Sequence, residues 1–590
     1  MLAGLFALAF WAGAAALANT AAVVSDPCVR PPVGSEVPEP ANLRSVDGVL
    51  RVELSIHSHQ EPDGTVQYCY TLPDGRQAPT LRLHPGDRLI LRLTNDLLDV
   101  VAALGLQAGS RALGSATLCK VPAQRRADPC DGGPMGAAAT NLHFHGLTVP
   151  AQCHKDDVLR TVVQPGDPPF EYRFEVPRDE PPGLYWYHPH IHGFSSRQVS
   201  GGASGALIVE GLERAQADVA GLPERVFVIR DQPLANPNAP PSKSEPVVPK
   251  NLLERDGDAA NNGTGFGKPA RDLSINYVPV PYPDYPPARI AMKPGERQLW
   301  RVANASAITY LNLALIFQDN PQHHTPQQLG IVAIDGVPIN VSGTGPAVTW
   351  VNHIGVPPGA RVEFIVNGPP LGVPALFATR TVDTGQGGEN DPNRALAAVV
   401  AVADAPEPPD SMPAHPQALP AAARPWIGSV TPARVRKLYF SEKLDNPNDP
   451  NSATTFYLTV DGQAPAPFDP ANPVPNIVVR QGDVEDWIIE NRSSELHAFH
   501  IHQLHFQLLA LSGFAVYEPF LRDTVNVPYY NGRDLQYPSV RLRMDFRDPD
   551  TIGTYVYHCH LLEHEDGGMM GTVRVEPATG GNTRPASQGT

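Results

Sequence analysis

Ten of the twenty histidines of this chain fall in four short clusters: His143-Phe144-His145, His188-Pro189-His190, His497-Ala498-Phe499-His500-Ile501-His502, and His558-Cys559-His560-Leu561-Leu562-Glu563-His564. In an extended strand, residues i and i+2 share a face. The four His-x-His pairs therefore offer eight imidazoles as four same-face pairs. Eight ligands suit a three-metal cluster, three for each of two ions and two for a third. A single His-x-His is commonly an ordinary strand with surface histidines, or a zinc ligand pair. Four of them, split evenly between the two ends of the chain, point to a cluster clamped across an interface.

Cys559 has opposite parity to His558 and His560 and must face away from them. His497, three before His500, faces the same way. His564 and Met569 follow within a short turn. Two imidazoles, a thiolate and a weak thioether form a trigonal site with a long axial bond, the pattern of blue copper. Met570 is the alternative axial residue. One copper beside three stores the four electrons that reduce dioxygen to water, and Cys559 joins the two sites through its own backbone.

The elements that position these residues repeat. Pro85-Gly86-Asp87, Pro294-Gly295-Glu296 and Gln481-Gly482-Asp483 lead to strands ending in Asn95, Asn304 and Asn491, each nine residues after its glycine. Each reads as a turn feeding a strand with alternating outward polar residues. The spacing is that of whole β-sandwiches rather than solenoid repeats. Where the third unit has His497 to His502, the second has Tyr310-Leu311-Asn312-Leu313-Ala314-Leu315, without ligands. Gly183 to His188 and Gly553 to His558 each place a histidine five residues after a glycine, at the end of an aromatic strand. Metal chemistry is expected between the first and third units.

With 65 prolines and 50 glycines, the 590-residue chain reads as all-β. The expected division is 40–212, 213–405, a Pro-rich linker 406–425, 426–577 and a small polar tail 578–590. A net charge of −16 without a basic stripe excludes nucleic acid as a partner. Residues 1–18 read as a signal peptide ending in Ala16-Leu17-Ala18, so secretion or periplasmic export, with no stable membrane anchor, is expected. Apart from Cys559, the cysteines Cys28, Cys69, Cys119, Cys130 and Cys153 allow at most two disulfides, in undetermined pairing.

On these motifs the chain resembles the three-domain multicopper oxidases of the laccase-like kind, from about Pro40 to Pro577. His558 to Met570 and Gly183 to Gly211 are especially similar to the bacterial branch. The resemblance implies three Greek-key cupredoxin domains and four coppers. His497, Cys559 and His564 would bind type 1 copper, with Met569 axial. His143 and His500 would bind type 2. The two type 3 coppers would take His145, His188 and His560, and His190, His502 and His558. Glu565 matches the acid that assists proton delivery to oxygen, and Asp156 or Asp157 a second acid. His192 and His505 are candidates for supporting the ligands.

The expected activity is four one-electron oxidations of a small-molecule reductant, a phenol or aromatic amine, coupled to dioxygen reduction. Within the family the alternative is oxidation of Fe(II), Mn(II) or Cu(I), with no Met-rich insert to support Cu(I). A copper store or carrier needs no Cys559 bridge to an oxygen cluster. A copper nitrite reductase lacks the paired type 3 ligands. The oligomeric state is not legible.

Overall fold

The computed structural model describes residues 26–62, 64–97, 128–240, 268–319, 325–414, 424–446 and 452–578. The expected signal peptide, Cys119, the middle of the linker and nearly all of the tail lie outside the described residues.

Apolar residues at every second position make the strands and choose their buried face. In Val49–Gln60, Leu50, Val52, Leu54 and Ile56 are buried, while Arg51 and Glu53 between them are exposed. Truncating a side chain such as Leu54 to alanine costs about 2–5 kcal/mol.

The described strands form six sheets, two to each of three consecutive cupredoxin-like sandwiches. The first packs the sheet Val66–Thr71, Val49–Gln60, Arg88–Asp96, Phe170–Glu175 against the sheet Asn42–Arg44, Thr80–Leu83, Gly205–Val209, Gly183–His188, His143–His145. The third pairs a six-stranded sheet with a five-stranded one that holds Gly553–Cys559, His497–Ile501 and Thr524–Val527 side by side. Each sandwich closes on its own apolar cluster. Leu91 and Phe144 mark the first, Trp300 and Leu313 the second, Trp487 and Phe499 the third.

The sequence repeat is a topological one. In every sandwich the repeat strand runs parallel to an early long strand and antiparallel to a later one. Arg88–Asp96 lies between Val49–Gln60 and Phe170–Glu175, Arg297–Asn304 between Pro223–Gln232 and Arg361–Asn367, and Val484–Asn491 between Arg434–Leu444 and Ser539–Asp545.

The repeat asparagines are in phase with the inward residues Leu93, Val302 and Ile489, and all three are buried. Each Nδ2 donates to two backbone carbonyls, those of Ala138 and Val163, of Thr309 and Val356, and of Glu495 and Val527. Each Oδ1 accepts the N–H two residues on. A side-chain amide carries the donors and the acceptor needed to staple a strand end to the loops around it. In the third sandwich the staple, Asn491, lies six residues ahead of His497 and holds the Glu495 carbonyl two residues ahead of it.

The middle sandwich touches both neighbours. Leu184 N–H donates to Glu363, Trp186 Nε1 donates to the Gly359 carbonyl, and Tyr310 Oη donates to the Leu496 carbonyl. Disulfides join Cys28 to Cys69 and Cys130 to Cys153, and Cys559 is a buried free thiol. Among the described residues no helix is long and apolar enough to cross a membrane.

Candidate metal centre

Strand parity places the histidines as the i, i+2 rule requires. Phe144 enters the core of the first sandwich, and Ala498, Phe499, Ile501 and Cys559 enter that of the third. The flanking imidazoles are thereby turned outward into the interface. His143 pairs across its sheet with His188, and His500 with His558. The two halves then stack. His143 lies on His502 with ring centroids 3.7 Å apart, and His145 on His500 at 3.9 Å.

The ring nitrogens converge in sets. The Nε2 atom of His558 is 3.5 Å from that of His190 and 3.3 Å from that of His502. Metal-binding nitrogens of one set also group as His145, His188 and His560, and as His143, His145 and His500. Two nitrogens each about 2.0–2.1 Å from one ion at a near-tetrahedral angle lie about 3.3–3.4 Å apart. Burial, with neighbouring imidazoles adding to it, holds His143, His145, His190, His502, His558 and His560 well below the ordinary histidine range, and burial takes His188 down to about 3. These rings are neutral at pH 7, with lone pairs free.

Buried nitrogens without a hydrogen-bond partner are the clearest sign of what the set is for. His143 Nε2, His145 Nδ1, His188 Nε2, His500 Nε2 and both nitrogens of His560 are all such atoms. Leaving so many buried polar atoms unpaired is costly unless an ion takes them. The opposite nitrogens are held in place. His143 Nδ1 is 3.0 Å from both carboxylate oxygens of Asp156, His188 Nδ1 is 3.0 Å from the Pro189 carbonyl, and His500 Nδ1 is 2.9 Å from the Asp523 carbonyl. Outer partners of this kind fix which nitrogen faces a metal.

On the other side of the Gly553–Cys559 strand, Cys559 Sγ is 3.5 Å from His497 Nδ1 and 3.8 Å from His564 Nδ1, and the two nitrogens are 3.3 Å apart. Burial pushes the thiol up, so a thiolate here needs a cation beside it. His497 Nε2 is 2.8 Å from Ser493 Oγ and 3.0 Å from Glu442 Oε1, which aims Nδ1 at the sulfur. Met569 shares the apolar cluster of Cys559, whereas Met570 packs with Val158 and Val556. The short helix Leu562–Asp566 returns the chain, and Met569 N–H donates to the His564 carbonyl. Imidazole and soft sulfur in a three-sided arrangement fit copper.

The acids separate by position. Asp156 reaches His143, accepts Phe144 N–H, and accepts Gln503 Nε2 at 2.6 Å, while burial raises its carboxyl well above the usual range. Asp157 points elsewhere, toward Arg160. Glu565 is fully buried, 3.3 Å from His558 Nδ1 and 3.7 Å from His190 Nε2, and burial followed by Asp566 raises it well above the usual range. His505 Nε2 is 3.1 Å from the Asp335 carbonyl and 3.7 Å from Asp523 Oδ2, whereas His192 packs edge-on against Phe468.

Sequence reasoning missed Asp523 and Glu495. Asp523 Oδ1 lies 3.2 Å from His145 Nε2 across the domain interface. Burial opposes its ionisation, but the Arg361 guanidinium overrides that and, with His145, holds the carboxyl well below its usual range. Glu495 Oε1 lies 3.5 Å from His564 Nε2, and burial, then Glu442, Glu389 and Glu563, push it up to about 9. No motif marks either residue. The one available signal for Glu495 is its place two residues before the ligand strand.

Two family models, both described as multicopper oxidase, match residues 136–214 and 442–579, the segments that carry all four clusters. Multicopper oxidase mco of Staphylococcus haemolyticus is 24% identical over 443 residues, 74% of this chain and 76% of that protein. A multicopper oxidase from Campylobacter jejuni, described as a metallo-oxidase, superposes with a TM-score of 0.60 at 22% identity over 94% of this chain and 97% of its own. A laccase-like multicopper oxidase from Ochrobactrum does so with a TM-score of 0.56 at 20% identity, over 92% and 100%. Matched models over both ligand-bearing segments and a ligand set suited to copper support the multicopper oxidase family, copper-dependent oxidoreductases that couple oxidation of a reductant to reduction of dioxygen.

Proposed function

We propose that the chain oxidises small aromatic reductants, phenols or aromatic amines, one electron at a time at the edge of His564. The carrying observation is exposure: at 7%, His564 is the most accessible of the candidate ligands, the others being at 3% or below. Phe456 stacks on its ring at 4.3 Å and offers an aromatic flank beside the approach. An outer-sphere donor need only reach that edge, so broad specificity is expected.

Type 1 copper is assigned to His497, Cys559, His564 and axial Met569, type 2 to His143 and His500, and the type 3 pair to the two remaining triads. Bound there, the four coppers supply one-electron acceptance at Cys559 and four-electron reduction of dioxygen to water at the eight imidazoles. Cys559 turns its side chain to one site while His558 and His560 turn to the other, so one residue of backbone separates them. Glu565 holds a proton beside His558 and His190, and Asp156 one beside His143. The middle unit, 213–405, is read as copper-free, because its counterpart of the ligand strand packs Leu311, Leu313 and Leu315 into an apolar core. The outer units are 40–212 and 426–577. Export is proposed as well, since two disulfides suit an oxidising compartment.

One observation favours a second reading. Glu495 beside His564, with Glu442, Glu389 and Glu563 near it, is a surrounding suited to a cation, and the two similar solved structures are described one as a metallo-oxidase and one as laccase-like. Oxygen uptake with a panel of phenols and aromatic amines against Fe(II), Mn(II) and Cu(I) tests the choice. Turnover of several aromatic donors at comparable efficiency is expected. Metal-ion efficiencies orders of magnitude higher would replace the aromatic reading with the metal-ion one.

A further inference from the structure

We propose that Arg361, from the middle sandwich, is a positioning residue for the eight-imidazole centre, acting through Asp523 on a ligand from each outer sandwich. The inference rests on the reading of His145 and His500 as copper ligands.

Arg361 opens the strand Arg361–Asn367 and is buried. Its guanidinium grips Asp523 with both prongs, Nη1 donating to Oδ1 at 2.8 Å and Nη2 to Oδ2 at 2.6 Å. Nε donates to the Leu184 carbonyl of the first sandwich, so one side chain spans all three units. Asp335, also from the middle sandwich, completes the clamp. Its Oδ1 accepts Arg361 N–H, and its Oδ2 accepts the N–H groups of Asp523 and Thr524 at 3.2 Å each. The clamped residue then meets two rings. Asp523 Oδ1 is 3.2 Å from His145 Nε2, and the Asp523 carbonyl is 2.9 Å from His500 Nδ1. Those two rings stack on each other and present their unpartnered Nδ1 and Nε2 atoms to the centre.

Two glycines show how closely the middle sandwich is fitted to the site. A Cβ on Gly146, the residue after His145, would come within 2.3 Å of Arg361 Nη2 and 2.8 Å of Asp523 Oδ2. A Cβ on Gly359, two before Arg361, would come within 2.7 Å of the His560 ring. Both have positive φ, at 90° and 87°. The segment 357–361 is thus a wall of the centre, contributed by a unit with no assigned ligand.

The fork geometry is what matters, because a lysine keeps the charge but cannot hold both carboxylate oxygens. In Arg361→Lys, purified with copper, the blue absorption of the Cys559 site is expected to persist. Copper per chain should fall from about four toward three, with affinity down about 10–100-fold as for other lost outer partners. The paramagnetic resonance signal of the copper between His143 and His500 should be lost or altered. Asp335→Asn, which places an amide N–H against the backbone N–H groups, should do the same from the other side. Full copper with an unchanged resonance signal in both variants overturns the proposal. So does parallel loss of the blue absorption, or failure of both variants to give soluble protein, since either makes the clamp a folding element only. A wild-type protein that binds only about one copper and lacks that resonance signal would instead sink the reading of His145 and His500 as ligands.

Discussion

His564 Nε2 lies 3.5 Å from Glu495 Oε1, which sets a carboxyl group at the most exposed edge of the candidate type 1 site. Burial and neighbouring acids push the Glu495 carboxyl up to about 9, so it ionises at neutral pH only when a cation comes to this edge, and Glu495→Gln keeps the shape but removes that capacity. KM for Fe(II) and for cationic aromatic amines should rise about two- to fivefold, as for loss of a partly exposed charge pair. KM for neutral phenols should not move. Steady-state oxygen uptake with the two donor classes reads the difference, and equal effects on both would remove Glu495 from substrate choice.

Asp156 and Asp157 are neighbours in sequence with different surroundings, and only Asp156 is seen against His143. Asp156→Ala should weaken copper retention about 10–100-fold in dialysis against a chelator. Asp157→Ala should leave retention unchanged. The reverse order would assign the outer partner wrongly.

Met569 and Met570 are likewise adjacent, and pleating sends them to different cores. Met569→Leu removes a weak electron donor and should raise the type 1 potential in a redox titration. Met570→Leu should leave it in place. A shift confined to Met570→Leu would move the axial role there.

Glu180, which is not among the candidate ligands, gives a pH signature. Burial raises its carboxyl to about 8, and Thr148 N–H donating to it only partly offsets this. An ordinary unfolded-state glutamate ionises near 4.5. The folded state binds the proton more tightly, so the contribution to stability is complete below pH 4.5 and is lost as pH rises toward 8. Glu180→Gln should therefore raise Tm relative to wild type at pH 8 and give no gain at pH 4.5. A gain that is equal at both pH values would show that packing rather than ionisation is responsible.

The candidate ligands were legible in the sequence because strand parity is a local property. Once His143-Phe144-His145 and His500-Ile501-His502 are strands, the histidines must leave the face that Phe144 and Ile501 bury, and Cys559 must leave the face of His558 and His560. The three-unit repeat was legible for the same reason, since each turn and strand is set by a dozen neighbouring residues. The role of the repeat asparagines was not. Alternation puts Asn491 on the face of Trp487 and Ile489, but only the loops that fold back over it supply the Glu495 and Val527 carbonyls to which its amide donates.

What only tertiary structure decided are the contacts between residues far apart in the chain: Asp523 against His145, Glu495 in the company of Glu442 and Glu389, and Arg361 holding Asp523 from another sandwich. No spacing rule reaches across 378 residues from His145 to Asp523. Their partnership depends on how three separately folded sandwiches dock. The sequence by itself determined which atoms could bind copper, because alternation along a strand is dictated by the backbone. For His145, docking decided which nitrogen faces inward, because the carboxylate behind it, Asp523, comes from another sandwich, whereas His143, His188 and His500 are held by groups of their own sandwich.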